Sequence, residues 1–123
     1  MTDLQEDPRG FIYVASPYTH SNEAVRELRY QNVMAYTAWL LKQERWAYSP
    51  IVHHHVMAAR FALPHDFDYW MRLDFTMIDA SSELHVLKIP GWQESKGVNA
   101  EIQYWLRTRE RSLITFADMP THV

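Results

Sequence analysis

Cysteine is absent from all 123 residues. That excludes disulfides and thiolate metal sites, and it fits a reducing compartment, so a cytoplasmic protein is expected. No stretch approaches the roughly 18 consecutive apolar residues of a membrane span. The opening MTDLQEDPRG is polar and acidic, unlike a signal peptide, so no membrane partner is expected. Basic runs are missing too, and the formal net charge is −3, which gives no electrostatic footing for a nucleic-acid polymer. Repeats, low-complexity tracts and linkers are likewise absent. Residues 1–9 read as a flexible lead and 10–123 as a single domain, long enough for one core. Against these absences, hydrophobic content is 47% and charged content 22%, ordinary for a globular chain. The five Trp and seven Tyr are many for this length. Most belong in a core, and the surplus suits a pocket that stacks a planar ligand.

Phe11 to Ala15 (FIYVA) is a continuous apolar run, as in a strand covered on both faces. It breaks at Ser16-Pro17-Tyr18, a loop at the strand's carboxyl end. Ser21 or Asn22 can cap the next helix, with Glu23 in its first turn. No Gly or Pro intervenes from there to about Arg45, and Val25, Leu28, Val33, Tyr36 and Leu40 give an approximate helical stripe. Trp46 to Ser49 (WAYS) is a short strand ending at Pro50. Ile51 to Leu63 reads as a helix closed by Pro64, and Asp66 to Ser81 as another, with Trp70, Leu73, Met77 and Ile78 on one side. Glu83 to Ile89 (ELHVLKI) is a third strand, Gly91 to Arg107 a loop and helix, and Ser112 to Phe116 a last strand. The order β-α-β-α-α-β-α-β predicts an α/β fold: three-layer, Rossmann/flavodoxin-like, with a mainly parallel sheet of four or five strands and helices on both faces. Ligands in such sheets sit beyond the strands' carboxyl ends, where strand order reverses. The loops SPYTH and PGWQESKG should therefore share a crevice, bringing Tyr13, Tyr18, Ser95 and Glu101 into one neighbourhood.

Several residues there carry chemistry. Val98, Ile102, Trp105 and Leu106 form one helix stripe, and Glu101 sits beside it, about one turn into the helix. Ser95, Lys96 and Gly97 occupy the helix entrance, where free N–H groups and the dipole attract anions. An anion seat one turn from a half-buried carboxylate suits chemistry on a phosphorylated substrate; a solvated helix with an incidental Glu is the plainer alternative. Trp92 is placed to stack on a base or to fold onto the protein's own surface. Arg26 and Arg29 stand to face phosphate or solvent. His53, His54 and His55 invite a metal, but consecutive helical residues point about 100° apart, so three cannot readily share one ion. A pocket role for His53 near the second strand's end, and surface or packing roles for the others, stay open; no metal or cofactor is expected.

Three pieces, Ile12-Tyr13-Val14-Ala15-Ser16-Pro17-Tyr18, Asp74 nine residues before Glu83, and Ser95-Lys96-Gly97-Val98-Asn99-Ala100-Glu101, together resemble the nucleoside 2-deoxyribosyltransferase-like superfamily. That superfamily includes nucleoside 5′-phosphate N-glycosidases, and the resemblance covers roughly residues 10–116. It implies Glu101 as nucleophile, Tyr13 as an aromatic that helps hold it, and Asp74 as a group that contacts the sugar or supports protonation of the leaving base. It further implies Ser95 as a 5′-phosphate contact; by their own positions Ser16, Tyr18, Lys96, Gly97, His53 and Trp92 are expected around the substrate. The expected activity is cleavage of the base–sugar bond of a nucleoside 5′-monophosphate or nucleoside through a covalent glycosyl-enzyme. The alternatives are deoxyribosyl transfer and a non-catalytic nucleotide-binding module. The resemblance also implies a homodimer or higher homo-oligomer.

Overall fold

The computed structural model describes residues 4, 5 and 7–122. Its elements are β1 (Ile12–Ala15), α1 (Glu23–Lys42), β2 (Ala47–Tyr48), α2 (Pro50–Arg60), α3 (Phe67–Ala80), β3 (Glu83–Leu87), α4 (Lys96–Thr108) and β4 (Ile114–Ala117). A 3₁₀ turn, Arg111–Leu113, leads into β4. The four strands form one sheet in the order β2-β1-β3-β4, and every pairing is parallel. The fold is thus α/β and Rossmann/flavodoxin-like, as the order of elements requires. Strand order reverses between β1 and β3, and the carboxyl ends at such a point are where sheets of this kind bind ligands.

Alternation along β1 and β3 divides the core. Ile12, Val14 and Leu87 face Val33, Tyr36 and Leu40 of α1. Tyr13, Ala15, Leu84 and Val86 face the opposite way, onto Ile78 of α3 and Val98 and Trp105 of α4. Successive strand side chains point to opposite faces, so both sides of these two strands are apolar and buried. Helix starts follow local capping chemistry. Asn22 Oδ1 accepts from Ala24 N at 2.8 Å, Ser49 Oγ from Val52 N at 3.2 Å and Ser95 Oγ from Val98 N at 3.2 Å. Pro50 takes the first position of α2, where its missing N–H costs nothing.

Two expected stripes are corrected. Leu28 is exposed, because it lies five residues before Val33 and points about 140° away from it. Arg29, four residues before Val33, is partly buried and reaches the loops after β1 and β3. On α3 the buried residues are Asp74 and Ile78, while Leu73 is exposed. A carboxylate therefore occupies the core-facing stripe where the apolar pattern suggested Leu73. Two ends also move: α1 stops at Lys42, before Glu44 in the left-handed region, and α2 stops at Arg60, before Ala62 in the same region. Of the lead 1–9, residues 1–3 and 6 lie outside the described residues. Asp7 pairs with Arg9 at 2.7 Å and accepts from the Trp46 indole at 2.7 Å, and Arg9 donates to the Glu44 carbonyl at 2.9 Å. Among the described residues no helix is long and apolar enough to cross a membrane.

Candidate functional site

Glu101 enters the core because α4 carries it between two anchors. Val98 and Trp105, three residues before and four after it, are fully buried against the sheet, and Glu101 follows them inward to 4% exposure. β1 supplies Tyr13 on the same side of the sheet, and its hydroxyl donates to Glu101 Oε2. Across from α4, α3 brings in Asp74, 5% exposed, with Oδ1 lacking any hydrogen-bond partner. β2 adds a group absent from the residues expected at the site. Tyr48 pairs in register with Tyr13, so both rings project to one face, with centroids 6.0 Å apart. Only the pairing of β2 with β1 reveals this, since nothing local distinguishes Tyr48 from any other strand aromatic.

The electrostatics follow from burial. Loss of water pushes Asp74 up to about 7, against the pull of the neighbouring Tyr13 hydroxyl. Burial and then the Asp74 charge push Glu101 well above the carboxylate range, while the Tyr13 hydroxyl works to lower it. Burial, with the charges of Asp74 and Glu101 behind it, lifts Tyr48 to about 12, and burial with the Glu101 and Asp74 charges raises Tyr13 well above the ordinary phenol, so both stay protonated at neutral pH. Two buried carboxyls of like charge hold one proton between them across a broad pH range. The Tyr13 hydroxyl pulls both acids down, so the proton belongs to the pair rather than to either carboxyl. One ionised carboxylate beside one carboxylic acid is the equipment for nucleophilic or general acid–base chemistry.

The crevice loops meet as the topology requires. Arg29 reaches from α1 to donate to the Thr19 carbonyl at 2.9 Å in the loop after β1 and to the Pro90 carbonyl at 3.4 Å in the loop after β3. Gly91 has φ +95°, a backbone that strains any other residue, and a Cβ there would also push the Arg29 guanidinium aside. Arg26 donates to the His20 carbonyl. Ser16, at the end of β1, is 6% exposed, and its Oγ has no partner. Tyr18 turns its hydroxyl to His55 Nδ1 at 2.6 Å.

The other expected residues divide. Ser95 caps α4, and Gly97 lies one turn above Glu101 with only ordinary contacts to Met71 and Ser95 around it. Lys96 lays its ammonium over the Phe67 ring, 4.1 Å from the centroid, so its charge is directed to α3. Trp92 folds onto the protein, with its ring 5.7 Å from Phe116. The three histidines part as helical geometry demands. His53 is exposed with its ring 5.9 Å from Tyr48, His54 is buried 4.4 Å from Trp70 with Nε2 unpartnered, and His55 lies between Tyr18 and Glu27. Among the described residues no group of three or more His, Asp or Glu side chains is arranged to hold a metal ion. An open depression of about 630 Å³ lined by Gln5, Asp7, Pro8, Gly10, Phe11 and Trp46 lies at the other end of the sheet, before β1, and takes no part in this site.

Residues 10–117 match a family model described as a domain of unknown function (DUF1937). No curated protein matches the chain.

Proposed function

Starting from a chain that belongs to the DUF1937 family, we propose that it cleaves the base–sugar bond of a nucleoside 5′-monophosphate or nucleoside through Glu101. The observation that carries this reading is the Tyr13–Glu101 hydrogen bond with Asp74 buried beside it, on the side of the sheet below the β1/β3 switch point. The resemblance of Ile12–Tyr18, Asp74 and Ser95–Glu101 to nucleoside 2-deoxyribosyltransferases and N-glycosidases supports it from the sequence side. Ionised Glu101 attacks the anomeric carbon as the bond to the base nitrogen breaks, and the acid form of Asp74 gives its proton to the departing base. Water then attacks the glycosyl–Glu101 ester, losing a proton to the Asp74 carboxylate, and the free sugar leaves. Tyr13 stabilises the Glu101 charge before attack and after release. A second base in place of water turns the same intermediate to transfer.

Incubating the purified chain with deoxynucleoside 5′-monophosphates and the matching nucleosides, then resolving free base by chromatography, tests the proposal. Base release by the parent chain, lost by a factor of at least about 10³ in Glu101→Gln, is expected. Undiminished release in that variant would refute it. The near-complete burial of Glu101 favours one second reading, a nucleotide-binding module without turnover. Tight binding with no free base, unaffected by Glu101→Gln, selects that alternative. A homodimer or higher homo-oligomer belongs to the same proposal by resemblance, and sedimentation measures it.

A further inference from the structure

The loop between β1 and α1, residues 16–22, contains a hydrogen-bond chain that the carboxylate chemistry does not use. The Tyr18 hydroxyl is 2.6 Å from His55 Nδ1, and His55 Nε2 is 3.0 Å from Glu27 Oε2. The imidazole is clamped on both flanks: the Tyr30 ring stacks on it at 3.9 Å and 20°, and Tyr18 stands edge-on at 5.5 Å. Glu27 is itself held, accepting from Gln31 at 3.0 Å, so one loop and two helices fix the chain end to end. In the same loop Ser16 is buried with its hydroxyl unpartnered, a polar group left without a mate at the strand end where ligands bind. Two arginines stand at the loop. Arg26 and Arg29 hold its carbonyls, His20 Nδ1 accepts from Asn22 N, and His54 neighbours His55 on α2. Glu23 and Glu27 on α1 are the acids beside them.

We propose that this loop takes the phosphate of a phosphomonoester ligand, with Ser16 and Tyr18 as direct donors and the His55–Glu27 pair as positioning residues that couple binding to uptake of a proton. The coupling follows from donor and acceptor count. A neutral imidazole that gives its Nε2 proton to Glu27 presents Nδ1 as an acceptor, which consumes the Tyr18 proton. A second proton on His55 makes Nδ1 a donor to the Tyr18 oxygen. The phenolic proton is then free to point at the ligand. The inference rests on the nucleotide reading of the crevice and adds the side of it that grips the phosphate and the proton that accompanies it.

Calorimetry of the full-length Glu101→Gln chain with deoxyguanosine 5′-monophosphate and with deoxyguanosine, from pH 5.5 to 8.5 in two buffers of different ionisation enthalpy, tests it. Tyr18→Phe and His55→Gln are each added to that background. The phosphate's own titration is common to all forms and cancels in the comparison. The expected result is monophosphate affinity about tenfold higher at the acid end than in either added variant, with proton uptake approaching one. Nucleoside affinity should change less than monophosphate affinity in both variants; equal losses for the two ligands would overturn a phosphate contact. If His55→Gln does not fold, Tyr18→Phe carries the comparison alone, since it keeps both rings. Equal pH profiles in all forms overturn the relay and leave the carboxylate proposal standing. Absence of base release from the parent chain, with the pH difference present, overturns the glycosidase and leaves the relay. Binding of neither ligand overturns both.

Discussion

Asp74 binds its proton up to about pH 7 in the folded chain but only to about its ordinary 3.8 once unfolded. Between those values the folded state holds the extra proton, so this group's contribution to stability falls as pH rises from 4 to 7. Replacing the carboxyl by an amide removes that cost. Asp74→Asn is expected to unfold at higher urea than the parent at pH 8, by on the order of 2–4 kcal/mol, with the difference vanishing near pH 4. An Asn variant no more stable at pH 8 than at pH 4, relative to the parent, would mean that the carboxyl is solvated. The same substitution should abolish base release on the proposed mechanism, giving a variant that is more stable and less active. Tyr13→Phe removes the donor that favours charge on Glu101. Its rate of base release is expected to fall about 10²-fold at pH 7, with the ascending limb of the pH–rate profile displaced upward. An unmoved limb would show that Tyr13 does not set the carboxylate's ionisation.

At the scale of elements, the connection between the β1 and β3 loops hangs on one arginine and one glycine. Gly91→Ala must both abandon a left-handed backbone and displace the Arg29 guanidinium from Pro90. A loss of about 1–3 kcal/mol is expected from chemical denaturation, larger than for Gly97→Ala, whose added methyl meets only ordinary contacts. Comparable losses at the two glycines would contradict the bridge. Helix identity was legible where capping residues and periodicity agreed, as in α4, where Ser95, Val98 and Trp105 sit as read. On α3 the helix stands where the sequence places it, but the stripe Trp70, Leu73, Met77, Ile78 rests on hydrophobicity alone and puts Leu73 inward. The inward stripe there carries Asp74, a polar group that no apolar pattern can nominate. Leu28 was misplaced for the converse reason, an apolar side chain on an outward face.

Across the whole molecule, buried histidines oppose buried carboxyls. Burial first, then His53, holds His54 down to about 4 from its ordinary 6.5. The unfolded chain therefore takes up that proton first, and stability falls as pH drops from 6.5 towards 4. His85, enclosed beneath α1 with Tyr36 on its Nδ1 at 2.7 Å, is lowered chiefly by burial and pulls the same way. Asp74 and Glu101 slope oppositely across this window. Urea midpoints of the parent are expected to vary little between pH 4.5 and 6.5, to rise with pH in Asp74→Asn, and to fall with pH in His54→Gln. Parallel profiles for the two variants would deny the cancellation. Trp105 ties α4 to the sheet with no exposed surface, and Trp105→Ala is expected to cost about 3–5 kcal/mol by denaturant titration, releasing Glu101 with its helix.

The sequence by itself determined the order of elements, the parallel sheet and the neighbouring loops after β1 and β3. Apolar runs, helix periods and caps are local, and the handedness of crossovers leaves few ways to assemble them. It also nominated Glu101, Asp74 and Tyr13. Only the tertiary structure decided that Tyr48 stands beside Tyr13, that Lys96 rests on Phe67, and that His55 links Tyr18 to Glu27. Each of these pairs residues from different elements, and such meetings depend on strand register and helix rotation, which no local stretch of chain encodes.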